Sequence, residues 1–350
     1  MKILRFLSIL LLTTLTLMPL QASETSNGKL NVKETVLEHL GDGYDWHITT
    51  WGHTHISIPL PVILYSEATG FHVFSSLRLS HGQSYKGFFI DPTQKNKIYE
   101  RVNGKSTIRP WDFSITKNVV QIFIVISILL IGFLLTARWY QKHEKVDDAP
   151  KGFVGFMEMA ILMVVDDIIR PSIGEKHYRP FVPYLLTVFF FIITTNLLGL
   201  IPIFPGGANV TGNITITMFL AICTFLVVNF SGNKEYWKEI FWPEVPAWLK
   251  VPIPLMPAIE LFGIFTKPLA LMIRLFANMV GGHSVILSLT CVIFIAAQMG
   301  PMIGTSMSVL SITLMIFMNF LELLVAFIQA YVFTMLSAVF IGLALPEHHS

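Results

Sequence analysis

Among the polar residues that interrupt the long apolar runs near the C-terminal end of this chain are Glu260, Lys267, Arg274, Asn278, His283, Glu322 and Gln329. Arg274 lies between Leu271-Met272-Ile273 and Leu275-Phe276. An arginine at the centre of a membrane helix costs about 2.5–3.5 kcal/mol on insertion scales, so such a charge faces a bundle interior, a partner or a water-filled path. Its guanidinium keeps its proton at any working pH. Arg274 is therefore a fixed charge and not a carrier, unless it merely snorkels to an interface or sits in a static ion pair. His283 and Glu322 have the opposite chemistry. Imidazole titrates near neutrality, and a desolvated carboxyl is pushed up toward it. Such a pair passes protons or forms a static buried ion pair, and spacing alone leaves both open.

Spacing assigns these groups to faces. Asn278 follows Arg274 by four residues, so the two share one helix face. His283 comes nine residues after Arg274, about 900° of rotation, and so points to the opposite side. If the two last apolar segments form an antiparallel hairpin, residues at equal depth have numbers with a constant sum. Arg274 and Gln329 sum to 603, and His283 and Glu322 to 605. Both midpoints fall near 302, inside the Gly300-Pro301…Gly304 turn signal.

The elements that must hold these residues are membrane helices. Hydrophobic residues make up 53% of the 350-residue chain and charged residues 13%. That is about half the charged share of an ordinary soluble protein. The net charge of +2 is too small to imply a nucleic-acid partner. The two cysteines, Cys223 and Cys291, lie in apolar stretches and read as small buried residues, not as a disulfide or thiolate metal site. Five spans are expected, at about 119–135, 181–202, 211–230, 255–299 and 307–345. About 20 apolar residues cross a bilayer core, so the last two are too long for upright spans. They must kink at Pro268, tilt strongly or run partly in the membrane plane.

The N-terminal part reads differently. Met1-Lys2-Ile3-Leu4-Arg5, an apolar run to Leu20 and the small residue Ala22 have the layout of a signal peptide over 1–22. Residues 23–115 hold six of the eleven histidines and alternating stretches such as His53-Thr54-His55-Ile56-Ser57-Ile58-Pro59, a strand pattern. A small β-rich domain is expected there, with 116–350 as the membrane domain. His53 and His55 share a strand face, yet no third ligand follows at metal-site spacing, so solvated surface histidines are the expectation. The basic segment from Arg138 to Arg179 marks a cytoplasmic loop. Its apolar stretch 153–169 is expected to lie as an amphipathic helix on that surface. The positive-inside rule and the signal layout together place the N-terminal domain in the periplasm and the C-terminus in the cytoplasm. The fold class is thus an all-α multi-pass inner-membrane protein with a long C-terminal helical hairpin and a small β-rich N-terminal domain.

These residues carry a resemblance. Thr266-Lys267-Pro268-Leu269-Ala270-Leu271-Met272-Ile273-Arg274-Leu275-Phe276-Ala277-Asn278-Met279 resembles the signature of subunit a of F-type ATP synthases. Asn196-Leu197-Leu198-Gly199-Leu200-Ile201-Pro202 and the block from Glu322 to Ala330 resemble two further family motifs. The resemblance covers about residues 115–345. It implies that Arg274 faces a rotating ring of c subunits and blocks proton leakage between two half-channels. It implies that Asn278, His283, Glu322 and Gln329 line those paths, with Glu260 on the cytoplasmic side. The b subunits of a peripheral stalk and the rest of the synthase complex are the other implied partners. His283 and Glu322 look exchanged relative to the well-known bacterial pattern, which supports reading them as partners. Some relatives carry an aspartate where Gly199 stands.

No cofactor is implied. No Gly-rich phosphate loop is present, so nucleotide chemistry is expected in partner subunits. A proton-coupled secondary transporter is the alternative. It would need internal repeats with paired broken helices, and no self-similarity between the halves is visible. A membrane metalloenzyme would need clustered ligands, and His283 is the lone histidine in the apolar segments.

Overall fold

The computed structural model describes residues 41–51, 54–67, 69–91, 96–102, 106–143, 150–201, 206–242 and 255–345. The signal-peptide expectation over 1–22 and the histidines His39 and His53 fall outside these residues.

Strands come first. β1 (Asp45–Trp51) pairs antiparallel with β2 (Thr54–Pro59), with a register shift between His47 and Thr49. β3 (Pro61–Ser66) is the centre of a second sheet, between β4 (Gly70–Ser75) and β8 (Trp111–Asp112). β5 (Phe88–Asp91), β6 (Lys97–Val102) and β7 (Ser106–Ile108) form the third in sequence order. β3 shows the period-2 rule directly: Val62 and Leu64 are buried, whereas Pro61 and Tyr65 are exposed. Those inward residues pack with Tyr44, Phe74, Phe88 and Ile98 into a small core. The expected strand-rich N-terminal region is present.

Helices follow. α1 is Lys117–Lys142. A second helical stretch begins as α2 (Phe153–Leu162), passes through a π-helical turn (Met163–Ile169) and ends as the short α3 (Arg170–Ile173). α4 (Val182–Leu200), α5 (Ile214–Ser231) and α6 (Lys234–Phe241) come next. Then come two helices of 44 residues each, α7 (Leu255–Gln298) and α8 (Pro301–Ala344). Five of these helices, α1, α4, α5, α7 and α8, are long and apolar enough to span a membrane.

Two details differ from expectation, the turn and Cys223. Pro268, the expected kink site, lies inside α7 without ending it. The proline removes one i→i−4 hydrogen bond, and the surrounding apolar helix continues through the gap. The hairpin turn is shorter than 300–304. Met299 and Gly300 suffice, Gly300 taking φ +127, and Pro301 already opens α8. Proline suits a first helical position because the N–H it lacks would have no partner there. Cys223 is only half-buried, whereas Cys291 is buried as expected.

At about 1.5 Å per residue, α7 and α8 each reach about 66 Å, twice a hydrocarbon core of about 30 Å. Helices of that length exceed what one upright crossing needs.

The chain divides into two compact units. The first holds residues up to Ile124, Leu197–Val210 and Val280–Leu323; the second holds Val125–Asn196, Thr211–Met279 and Leu324–Ser350. The core of the second unit collects Ile168, Ile169, Leu185, Phe189, Leu275 and Phe333, among others.

Candidate functional site

In the first unit, the C-terminal part of α7 and the N-terminal part of α8 run antiparallel. His283 Nδ1 is hydrogen-bonded to Glu322 Oε1. Further along the same pair, Thr290 Oγ1 lies 3.8 Å from Met315 Sδ. Both contacts join residues whose numbers sum to 605, the register expected from sequence. The carboxyl is 4% exposed, and its second oxygen, Oε2, is buried with no partner among the described residues. The imidazole keeps 17% side-chain exposure. Burial of one partner and partial access to the other suits a group that exchanges protons at its open end.

Two glycines lie beside this contact. A Cβ at Gly282 would sit 3.0 Å from Glu322 Oε1 and 3.1 Å from its Cδ. A side chain there would press on the carboxyl. A Cβ at Gly199 would lie 3.8 Å from His283 Nε2 and 3.5 Å from the Ala208 carbonyl oxygen. Gly199 therefore leaves space beside the ring nitrogen that Glu322 does not occupy. The role of Gly282 was not read from the sequence, although a Gly-Gly pair directly before a histidine in an apolar helix is the visible signal.

In the second unit, α7 buries Leu271, Leu275 and Met279 at a spacing of four and leaves Arg274 and Asn278 exposed. The shared face expected for these two is thus an outward face. Arg274 has no hydrogen bond or ion pair with any described residue. Gln329 is 5% exposed on α8, and no hydrogen bond joins it to Arg274 despite their matching register. The reason is direction: Arg274 points outward, away from the packed side of α7.

Glu260 is half-buried near the start of α7. Its charge is felt by Tyr236 on α6, whose phenol is pushed up mainly by burial and secondarily by Glu260. On the same helix, the Lys267 ammonium lies 5.7 Å from the centre of the Phe340 ring. A chain of hydroxyls crosses this unit: Tyr184 Oη is 2.8 Å from Thr224 Oγ1, which is 3.4 Å from Ser337 Oγ. Asn196, fully buried, accepts a 2.7 Å hydrogen bond from Thr211 Oγ1 and donates to the Ala326 carbonyl at 3.5 Å. The asparagine of the second motif therefore ties α4 to the start of the α5 approach and to α8.

Among the described residues, no cluster of three His, Cys, Asp or Glu side chains could hold a metal.

The model of the ATP synthase A chain family matches residues 119–342. A second model, described as a domain of unknown function, DUF8433, matches residues 35–113. "ATP synthase subunit a 2" of Chlorobaculum tepidum is 44% identical over 246 residues, 69% of this chain and 66% of that protein. "ATP synthase subunit a" of Chlorobium phaeobacteroides is 44% identical over 250 residues, 70% of this chain and 69% of that protein. The protein of the same name from Myxococcus xanthus is 37% identical over 246 residues, 68% of this chain and 76% of that protein. The match thus spans about two thirds of the length of the first two relatives.

Proposed function

Because the chain belongs to the family of subunit a of the F-type ATP synthase, we propose that it is the stationary proton channel of that complex, with Arg274 as its fixed positive gate. The observation that carries this reading is the exposed Arg274 guanidinium, unpaired within the described chain, on a helix otherwise apolar around it. A charge so placed needs a partner. A carboxylate on a passing c subunit fits, because an ionised carboxylate is attracted and a neutral one is not. Asn278 shares that face and supplies a neutral hydrogen-bonding group beside it.

His283 and Glu322 form the relay. A proton taken up at His283 Nε2 makes the imidazolium, and the Nδ1 proton then passes to Glu322 Oε1. The imidazole is left neutral with its proton on Nε2 and regains the Nδ1–H form by ring rotation or by proton exchange through water before the next uptake. The protonated carboxyl hands its proton onward to a c-ring carboxylate. Gln329, buried on α8, is read as a further polar position of the proton paths. Glu260 marks the second path, toward the cytoplasm. Moving one charge through 100 mV releases about 2.3 kcal/mol. A split path with a fixed charge between its halves forces that energy through the rotor. The N-terminal strand region lies on the periplasmic side and the C-terminus on the cytoplasmic side. The c ring and the b subunits of the peripheral stalk are the direct partners. No cofactor takes part. The family match disfavours the transporter alternative.

Arg274→Ala is expected to abolish ATP synthesis and ATP-driven proton pumping while the complex still assembles. Normal ATP-driven pumping by the assembled variant would refute the assignment of the gate.

A further inference from the structure

The start of α1 carries three polar side chains that are buried in the first unit and are not accounted for by the relay. Thr116 is 9% exposed, Asn118 4% and Gln121 0%. Thr116 Oγ1, Asn118 Oδ1 and Gln121 Nε2 each lack a hydrogen-bond partner among the described residues. Asn118 and Gln121 are three residues apart and so share a helix face. Buried polar atoms are nearly always satisfied, and where protein does not satisfy them water does. Three orphan atoms within six residues mark a wet place, because a dry one would favour leucine or valine there.

That place connects to His283. Gln121 Oε1 accepts a 2.9 Å hydrogen bond from the Ala208 N–H. The Ala208 carbonyl oxygen and His283 Nε2 both lie within 4 Å of one point, the Cβ position that Gly199 leaves empty. Nδ1 is held by Glu322, so Nε2 is the ring atom open to water. The base of this region is anchored to the N-terminal strands: Lys117 N–H donates to the Gly43 carbonyl at 3.1 Å and Asn118 N–H to Asp42 Oδ1 at 3.3 Å. All of these residues belong to one compact unit.

We propose that Thr116, Asn118 and Gln121 at the start of α1, with the Ala208 backbone, are lining residues of the half-channel that the proposed function already requires, on the side where it reaches His283 Nε2 past Gly199. Gln121 is a positioning residue in this path: its carbonyl holds the Ala208 loop while its amide group faces the water. The N-terminal domain then has a task, to fix the α1 end of the path. This inference rests on the reading of His283 and Glu322 as the relay.

The test uses the complete synthase in membrane vesicles, with Cys223→Ala and Cys291→Ala as background. Gln121→Cys, Asn118→Cys and, as an outward-facing control, Leu130→Cys are each introduced. Silver ion, which is about water-sized and binds thiolates formed in contact with water, is the probe. ATP-driven proton pumping is the readout. Silver is expected to lower pumping at least fivefold in Gln121→Cys and Asn118→Cys and to leave Leu130→Cys unchanged. Gln121→Leu, of similar size and without polar atoms, is expected to assemble and to pump at least threefold more slowly. If Gln121→Cys does not assemble, Asn118→Cys decides, because the Asn118 contact to Asp42 uses only backbone N–H. His283→Ala separates the two ideas. If His283→Ala stops pumping while silver leaves both cysteine variants untouched, the access path is wrong and the relay stands. If His283→Ala pumps normally, the relay is wrong, and the path loses its destination with it.

Discussion

A hydrogen bond between an imidazole and a carboxyl depends on the residue beside it as much as on the pair. Gly282 stands one position before His283, and the Glu322 carboxyl packs where its side chain would be. Alanine normally stabilises a helix interior by about 1 kcal/mol relative to glycine. Here the added methyl would push the carboxyl by a few tenths of an ångström and misalign the pair. Gly282→Ala is expected to lower proton flux several-fold in vesicles with normal assembly; unchanged flux would show that the carboxyl has room to move. The pair itself is testable by exchange. His283→Glu combined with Glu322→His is expected to retain more ATP-driven pumping than either single change. A double variant no better than the worse single would end the pairing idea.

At the scale of elements, close approach of helices explains where side chains must be small. Gly342 on α8 packs directly on the backbone of Ser172 and Ile173 in α3. Backbone cannot rotate aside as a side chain can. Overpacking of this kind costs about 1–3 kcal/mol, more than the helix-propensity gain of about 1 kcal/mol for replacing glycine with alanine. Gly342→Ala is expected to lower the thermal midpoint of the purified chain, read by loss of helical circular dichroism or by aggregation. The corresponding change at Gly263, inside α7 with nothing within 4 Å, is the control and is expected to leave the midpoint unchanged or raise it slightly, by the propensity gain alone. The π-helical turn at Met163–Ile169 belongs to the same set of contacts. It buries Val164, Ile168 and Ile169 against the core of the second unit while the exposed Arg170–Asp166 pair, at 3.0 Å, faces away.

For the whole molecule, the two compact units give different kinds of stability. The second unit is built around a core of apolar helix packing. The N-terminal strands include Tyr44, whose phenol is raised well above its ordinary value of 10.0, first by burial and then by its hydrogen bond to Asp112. The sign follows from proton binding. Above pH 10 an unfolded tyrosine has released its proton and the folded one has not, so unfolding is favoured as pH rises. Stability from this site is complete below pH 10 and is lost progressively above it. Amide hydrogen exchange in β3 is expected to accelerate above pH 10, beyond the intrinsic rise in exchange rate, while α4 in the other unit stays protected. Tyr44→Phe is expected to flatten that response. Equal loss of protection in both elements would show that the units do not respond separately.

Much of this protein is legible from sequence because the bilayer leaves few choices. Apolar length sets the spans, and a charge such as Arg274 stands out against them. A Gly-Pro signal between two apolar helices set the hairpin register closely enough to pair His283 with Glu322. Period alone put Arg274 and Asn278 on one face. What the sequence could not decide was which face looks outward, since both sides of α7 are apolar apart from these few groups. Nor could it show that Gln329 is buried while Arg274 is exposed at a matching register. The contacts of Gly282, Gly199, Gln121 and Thr211 were also invisible. Each depends on atoms brought together from positions 9 to 87 residues apart in the chain. Side-chain period is a local property of one helix. Proximity across helices depends on how several of them pack, and only the tertiary structure determines that.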